Sequence, residues 1–443
     1  MERYEKAYGI AEEKAKLSVK MQQQFSVFFS PLLESLDREL DKRLVDTFQR
    51  LLECLLLLRS RSGFLLSELG AYLLSADQAP AGTKRISNLL RSQKWDHHFI
   101  DSYLQEKAVQ YAEEMLNRGE MPLLIWDSSI VEKPESKAVE GLTPVVSLKD
   151  KRLRRFRLGF SAPQKVEKLT VPGYYWASLL LTGLHTTPRL FSFSWWTHKG
   201  EQAQSFRQVR WNLLQAVREH LANTVVHVFD RGFAGSPWLG LLLKGDDHFI
   251  IRWPARYYLE NRQGERRKTY RFSLGRKNQS SRKLWDSRSK SYQTVGLVMV
   301  PVLHPQYADY PLWLIISRPK GKNRKPWYLL TNLSITSKGQ AWKVVMAYQK
   351  RWQVEMCFRY GKTELAIASP RLWWWENRLK FLMMLALVYA FLLSLLDPRL
   401  LKERRQLLRL GCHRTGKRYR KAQVPLYRIR LALIMIYLIQ NSG

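Results

Sequence analysis

The 443-residue chain has little cysteine and comparatively few acidic residues. Its three cysteines, Cys54, Cys357 and Cys412, are isolated, which excludes a disulfide framework and a cysteine-based zinc site and fits a reducing, intracellular compartment. There are 38 acidic residues against 73 lysines and arginines, so the formal net charge is +35. Such an excess points to a polyanionic partner, either nucleic acid or an anionic membrane surface.

The sequence also lacks a clear membrane segment. The longest apolar run, 381–396, falls short of the ~20 residues that span a bilayer, and Lys380 and Asp397 bound it. We interpret this run as a buried helix behind a sheet, with a membrane span as the alternative. The start of the chain is charged and has no apolar signal sequence. Because the positive charge is spread over several regions rather than one amphipathic helix, we expect nucleic acid and no membrane partner.

The first region, 1–120, is predicted to be helical. Within it, the segment 67–95 has the outline of a helix, a Pro/Gly break and a second helix that carries Lys84, Arg85 and Arg91. This outline is typical of a helix-turn-helix, whose second helix enters the major groove of DNA. A helical hairpin with a basic surface is the alternative.

Two apolar strands, one in 121–129 and one in 224–235, lead to Asp127 and Asp230. Strand-like and helical patterns lie between them, which predicts an α/β sheet. Ligands bind at the strand ends of such sheets, although an aspartate after a strand is also a common turn residue. The predicted catalytic core comprises 121–244 and, after an insertion, 336–396.

The region 245–335 is predicted to be a β-rich, basic insertion. Between Arg252 and Lys290 it contains thirteen lysines and arginines, three acidic residues and interleaved aromatic residues. A basic β surface with aromatic side chains can hold nucleic-acid backbones and unstacked bases. For 276–290 a disordered charged loop is the alternative. The final region, 397–443, is predicted to be basic and helical.

Tyr348, Arg351, Glu355 and Lys362 are spaced as Y-x2-R-x3-E-x6-K. On one α-helix these four residues would lie in a sector of roughly 60°, stacked turn over turn. One interpretation is a solvated face with an Arg351–Glu355 pair. The other is a metal-binding glutamate flanked by side chains that contact DNA phosphates.

This pattern resembles, without a gap, the YREK signature of insertion-sequence transposases of family four. The resemblance covers roughly 121–395 and includes the sequence DRG at Asp230. It implies an α/β fold: a ribonuclease-H-like catalytic core interrupted by a β-rich insertion, with a helical N-terminal DNA-binding region for the element's ends and a helical C-terminal region. It also implies that Asp127, Asp230 and Glu355 form a catalytic metal triad.

The activity implied by the resemblance is cut-and-paste DNA transposition through a hairpin intermediate. Tyr348, Arg351 and Lys362 would hold phosphates near the scissile bond. The expected cofactor is two Mg²⁺ ions per site, which Mn²⁺ can replace, with no small-molecule cofactor. The expected partners are double-stranded DNA, as terminal inverted repeats and target, and a second copy in a homodimer. The expected location is the bacterial cytoplasm, at the nucleoid.

Trp327 and Thr331 match a W-x3-T strand of the same family, at a like distance before Tyr348. In that family the tryptophan stacks on a base flipped out beside the cleaved end; a plain core tryptophan is the alternative here. Two other functions stay open from the sequence. One is a ribonuclease-H-like nuclease without strand transfer, and the other is a DNA-binding protein that has lost catalysis.

Overall fold

The computed structural model describes residues 2–58, 63–136, 138–147, 169–286, 291–321, 325–412 and 426–440. The described helices before the sheet are α1 Glu2–Asp37, α2 Lys42–Leu57, α3 Leu66–Leu73, α4 Ala79–Arg91 and α5 His98–Asn117. Helices α3 and α4 cross so closely that a Cβ on Gly82 would overlap the backbone of Gly70. Pro80 and Gly82 lie inside α4 rather than in the break between the two helices, because proline is tolerated in the first helical turn.

The core strands form one half of a large mixed sheet. Its elements are β1 Leu123–Glu132, β2 Thr143–Val146, β3 Thr170–Thr182, β4 Arg189–Trp196, α6 Phe206–Leu221, β5 Val226–Phe229, α7 Ser236–Lys244 and β6 His248–Arg252. The strand order is β4-β3-β1-β5-β6. β3 is antiparallel to β1 and β4, whereas β1, β5 and β6 are parallel. This order and these directions are those of a ribonuclease-H-like core and confirm the predicted fold class.

The insertion continues the same sheet rather than forming a separate body. Its strands are β7 Tyr258–Glu260, β8 Arg266–Lys268, β9 Ser280–Asp286, β10 Ser291–His304, β11 Tyr307–Pro319 and β12 Trp327–Thr331. β12 pairs with β6, and β11 and β10 follow outward. The alternative of a disordered loop over 276–290 is wrong for 280–286, which is strand β9; 287–290 lie outside the described residues. β6, within the range predicted for the insertion, is by its parallel pairing the fifth core strand.

The closing helices are α8 Lys338–Gln349, α9 Trp352–Thr363, α10 Trp375–Ser394, α11 Leu401–Gly411 and α12 Leu426–Gln440. Helix α10 is the single helix of the described part that is long and apolar enough to cross a membrane, and 89% of its apolar window is buried. It contacts β4 on one side and α2, α4, α5 and α12 on others. The predicted buried helix is therefore observed, at a full 20 residues.

The sheet has an apolar core on each face. Leu123, Ile125 and Val228 belong to the face covered by α8, α9, α10 and the N-terminal helices. Trp126 and Phe229 belong to the opposite face, covered by α6 and α7. In the basic C-terminal region, Arg430 is buried and donates to the carbonyl oxygens of several residues on α2 and after α9: Leu55, Leu56, Leu58 and Glu364. This arginine thus ties helices together, while 413–425 lie outside the described residues.

Candidate active site

Strand register brings the two predicted aspartates side by side. Trp126 of β1 pairs with Phe229 of β5 in parallel register, and Asp127 and Asp230 are the next residue on each strand. The Trp126 and Phe229 rings meet with centroids 5.4 Å apart on one face. Because side chains alternate along a strand, Asp127 and Asp230 point to the other face, which α9 covers. Asp127 lies within β1, which continues to Glu132, whereas Asp230 directly follows the end of β5.

Arg351 joins two of the three predicted carboxylates. Its Nη1 donates to Asp127 Oδ2 at 3.0 Å, and its Nη2 donates to Glu355 Oε1. The Arg351 and Asp127 side chains are each 16% exposed, and Glu355 is 32% exposed. The pKa of Arg351 is raised: burial lowers it, but nearby Tyr348, Glu355 and Asp127 outweigh that effect. The guanidinium therefore stays charged between the carboxylates.

The carboxyl group of Asp127 is electrostatically unusual. Burial raises its pKa to about 6, Arg351 opposes this rise, and Asp230 and Glu355 add to it. The charges of Asp230 and Glu355 therefore both act on the Asp127 carboxyl group. The backbone N–H of Ser128 also donates to Asp127 Oδ1 at 2.8 Å, which fixes the orientation of the side chain.

Asp230 is held by its own turn and lies near a half-buried arginine, Arg210. Its Oδ1 accepts a hydrogen bond from the Gly232 N–H at 2.6 Å. Arg210 on α6 stacks between the rings of Phe206 and Phe233, at 3.7 and 3.8 Å from their centroids. Burial lowers the pKa of Arg210 to about 10, and the charge of Asp230 opposes this. Nothing in the sequence around Arg210 distinguishes it from other helix-surface arginines, so pattern reasoning missed it.

Lys362 reaches the same strand as Asp127. Its Nζ donates to Ser129 Oγ at 2.7 Å, and Ser129 lies two residues after Asp127 on the same face of β1. Helix α9 therefore runs along β1 from Glu355 to Lys362. Ser129 was not among the predicted site residues, because a serine in a strand carries no signal of its own.

Tyr348 and Trp327 pack on each other beside the carboxylates. Their ring centroids are 5.1 Å apart at 68°. Tyr348 is 3% exposed and its pKa is raised by burial, although a hydrogen bond with Arg252 and the charge of Arg351 oppose this. Trp327 is half-buried against the core. Thr331 is buried and donates to the Phe249 carbonyl oxygen at 2.6 Å, so it supports the strand.

The prediction of one continuous helix from Tyr348 to Lys362 is wrong. Helix α8 ends at Gln349 and α9 begins at Trp352, with Lys350 and Arg351 in a turn. There the N–H groups bond three residues back, as in Arg351 to Tyr348 at 3.1 Å and Val354 to Arg351 at 3.2 Å. This 3₁₀-like turn still places Arg351, Glu355 and Lys362 along β1.

The donor set fits a divalent metal, but the three carboxylates are not arranged as a ready-made site. Carboxylate oxygens are the ligands that Mg²⁺ prefers. Over the part of the chain that the structure describes, no three His, Cys, Asp or Glu side chains form a group that could hold a metal ion. The Arg351 guanidinium lies between Asp127 and Glu355. The assignment of Asp127, Asp230 and Glu355 as metal ligands therefore stays a prediction.

Lys84 and Arg85 lie on α4, away from these carboxylates. Lys84 is exposed, whereas Arg85 is half-buried. Arg85 lines a cleft between α2 and α4 with Arg43 and Arg91. The structure thus gives α4 a basic flank, and its contact with DNA stays a prediction.

The search of curated protein sequences found no match. Among solved structures, the chain is similar to the piggyBac transposase in a synaptic complex with hairpin DNA. That similarity has 12% sequence identity and a TM-score of 0.43, and covers 95% of this chain and 81% of the other. Among family models, the Transposase DDE domain matches residues 185–391, a range that contains Asp230 and Glu355 and follows Asp127. The segment 185–391 is therefore similar to the Transposase DDE domain.

Proposed function

We propose that this protein is a DNA transposase that cleaves the ends of an insertion sequence and joins them to target DNA. The observation that carries the proposal is the placement of the acidic residues. Asp127 and Asp230 follow a paired register position on adjacent parallel strands, and Glu355 lies on the helix packed over them. The transposase DDE domain match over 185–391 supports the same assignment.

Transposase DDE domains use divalent metal ions. We propose Asp127, Asp230 and Glu355 as the ligands of two Mg²⁺ ions, which Mn²⁺ can replace. When bound, such ions supply charge neutralisation at the phosphate and lower the pKa of attacking water. The remaining chemistry belongs to the protein's own side chains.

Arg351 and Lys362 are proposed to hold DNA phosphates along β1. A guanidinium has five N–H donors, and two of the Arg351 nitrogens, Nη1 and Nη2, contact Asp127 and Glu355. Arg351 can therefore bind a phosphate while it stays beside the carboxylates. Lys362 lies further along β1, at Ser129. The neighbouring phosphate of the same DNA strand would pass this position. Tyr348 is buried, so we propose that it positions Trp327 rather than binding phosphate in the DNA-free protein.

We propose the reaction course that the YREK resemblance implies. Water cleaves a phosphodiester at the element's end, the freed 3′-OH attacks the opposite strand to form a hairpin, and a second water opens it. The 3′-OH then attacks target DNA. Each step is an attack of an oxygen on a phosphorus atom, so a single site can serve all of them.

The function is tested with a plasmid that carries the inverted repeats flanking the reading frame. Wild-type protein with Mg²⁺ should release the element, show a hairpin intermediate and insert the 3′ ends into a second plasmid. Glu355→Gln should bind the repeats with wild-type affinity and give no product. Cleavage without insertion would identify a nuclease, and binding without cleavage by the wild-type protein would identify a DNA-binding protein that has lost catalysis.

We further propose that a homodimer holds the two ends. Both ends must join one target in a concerted reaction, and a symmetric pair is the simplest assembly that does this. With a net charge of +35, copies repel each other until DNA neutralises them. Mass measurement of the complex with end DNA should give two chains and two ends. A single chain with a single end under joining conditions would contradict the proposal.

A further inference from the structure

The hairpin of β9 and β10 presents two exposed aromatic side chains side by side. Trp285 and Tyr292 are direct cross-strand partners and are 53% and 70% exposed. Their ring centroids are 5.3 Å apart at 70°. Lys283 lies on the same face, opposite Thr294. The residues that join the strands, 287–290, lie outside the described part, and the aromatic surface is defined without them.

The opposite face of this hairpin holds it in place. Leu284 packs against the main apolar core, and the Arg282 guanidinium lies over the Trp342 ring of α8, 5.3 Å from its centroid. The hairpin is therefore anchored without Trp285 and Tyr292. An aromatic pair that the fold does not need and that solvent reaches marks an interaction surface.

The hairpin extends beyond the C-terminal ends of the parallel strands β5 and β6. This edge of the sheet, formed by strand ends, carries Asp230. Trp327 pairs with Ser317 of β11, which pairs with Leu297 of β10. Tyr292 lies five residues beyond Leu297, or ~17 Å along the strand, and two strands to the side, ~10 Å. The aromatic pair is thus ~20 Å from Trp327.

We propose that Trp285 and Tyr292 form a base-stacking site for unpaired DNA that crosses this edge, ~20 Å from Trp327. The presence of DNA at the edge rests on the proposed function. Aromatic faces stack on any base, so the site needs no particular sequence. Charge favours DNA over a protein partner, because the segment from Arg252 to Lys290 holds thirteen basic and three acidic residues. Lys283 and Lys320 lie beside the stacking site, where they can contact phosphates. The backbone N–H of Lys320 donates to the Thr294 carbonyl oxygen at 2.9 Å.

The test compares a blunt duplex with the same duplex carrying a single-stranded oligo(dT) tail. The double variant Trp285→Ala, Tyr292→Ala should bind the tailed duplex at least ~5-fold more weakly and the blunt duplex equally well. Its salt dependence should be unchanged, because no phosphate contact is lost. The matched variant Trp285→Phe, Tyr292→Phe should retain most of the affinity. Thermal melting of both variants should match wild type, since the anchoring face is intact.

Two controls test whether the loss of affinity belongs to this aromatic pair. Trp211→Ala removes a tryptophan that is 39% exposed on α6 and should leave binding of both DNAs unchanged. Glu355→Gln should keep the preference for the tailed duplex, so cleavage by Glu355→Gln would overturn the proposed function while leaving this site intact. Equal loss on blunt and tailed DNA, or a change in self-association with no change in DNA affinity, would overturn the stacking site.

Discussion

Two arginines near the core strands, Arg351 and Arg218, are half-buried against carboxylates, whereas several basic residues of the insertion lie on its surface. Arg351 contacts Asp127 and Glu355, and Arg218 contacts Asp247 at 2.6 Å. In the insertion, by contrast, exposed basic residues are numerous: Arg266, Arg267, Arg276, Lys277 and Lys283. Carboxylates offset part of the charge of Arg351 and Arg218, so most of the long-range attraction for a polyanion comes from the exposed cations. We therefore expect catalysis to depend mainly on the core part of the sheet and DNA affinity mainly on the insertion.

The largest effect should come from Asp127→Asn, which removes one acidic oxygen from the core site. Cleavage should fall by more than ~100-fold, since even partners of metal ligands account for 10- to 100-fold. DNA affinity and its salt dependence should stay at the wild-type level. A cleavage time course and a salt titration of binding, on one preparation, measure both.

The matched variant in the insertion is Lys283→Ala with Lys320→Ala. It should reduce the slope of the logarithm of the DNA-binding constant against the logarithm of the salt concentration by about two. The cleavage rate at saturating DNA should be unchanged. Loss of DNA affinity in Asp127→Asn would contradict the assignment of catalysis to the core and DNA affinity to the insertion. Loss of cleavage at saturating DNA in the lysine variant would contradict it equally.

Arg351→Ala should destabilise the core site next most strongly. Without the guanidinium, Asp127 and Glu355 are left facing each other without their cation, at a cost of roughly 2–4 kcal/mol in the free energy of unfolding. Millimolar Mg²⁺ should restore part of the lost stability, so the melting temperature of Arg351→Ala should rise more with Mg²⁺ than that of wild type. Arg351→Lys, which keeps the charge, should lie between them. Equal melting temperatures for all three would contradict the role of this pair.

A second carboxylate extends the contrast, because within the described residues it has hydrogen-bond donors but no salt bridge. Asp101 accepts hydrogen bonds from Ser192 at 2.8 Å and Gln105 at 3.0 Å, and burial raises its pKa to about 6. An unfolded aspartate has a pKa near 3.9, so the folded state binds the proton more tightly. Stability should therefore fall as pH rises from about 4 to about 6, where Asp101 ionises.

Asp101→Asn should remove this loss and be more stable than wild type by roughly 3 kcal/mol at pH 7.5. The two proteins should converge at about pH 3, where Asp101 is protonated in both states. Urea unfolding at several pH values measures the difference. If Asp101→Asn were less stable than wild type at every pH, the prediction would be wrong. The ionised Asp101 carboxylate would then stabilise the fold through the hydrogen bonds it accepts.

The smallest effect concerns Trp327→Ala. If Trp327 stacks on a flipped base, hairpin formation should slow by the ~1–3 kcal/mol of one stacking contact, while first nicking stays near normal. An end substrate that lacks that base should partly rescue the variant. If Trp327 serves only to pack on Tyr348, nicking and hairpin formation should slow together, the melting temperature should drop, and the abasic end should give no rescue. A time course of nicked, hairpin and opened products distinguishes the two.

The sequence was most informative where a pattern is local. The apolar run before Asp127 and the one before Asp230 predict two strands of an α/β sheet, and the parallel pairing observed in the structure brings the two aspartates together. The β-rich insertion was likewise predictable from its alternating, aromatic-rich strands. In each of these places the local residue pattern and the tertiary structure agree.

Other features depend on tertiary contacts that no local pattern encodes. The segment from Tyr348 to Glu355 contains neither proline nor glycine, so nothing in it signals the turn at Lys350 and Arg351. The contact of Arg351 with Asp127 joins residues 224 positions apart. The role of Ser129 likewise exists only once α9 packs along β1.

The junction between core and insertion is a pair of neighbouring strands. The chain leaves the core at Arg252 and returns at Leu329, which are cross-strand partners, and the Trp253 N–H bonds to the Tyr328 carbonyl oxygen at 2.7 Å. Both ends of the insertion thus emerge at one point, as the two arms of a hairpin would. Evolution can lengthen, shorten or exchange such a segment without re-threading the enzyme, so DNA preference can diversify on an unchanged catalytic framework. Protein engineers have the same freedom, because a tight turn across this neck leaves every core strand with its neighbours.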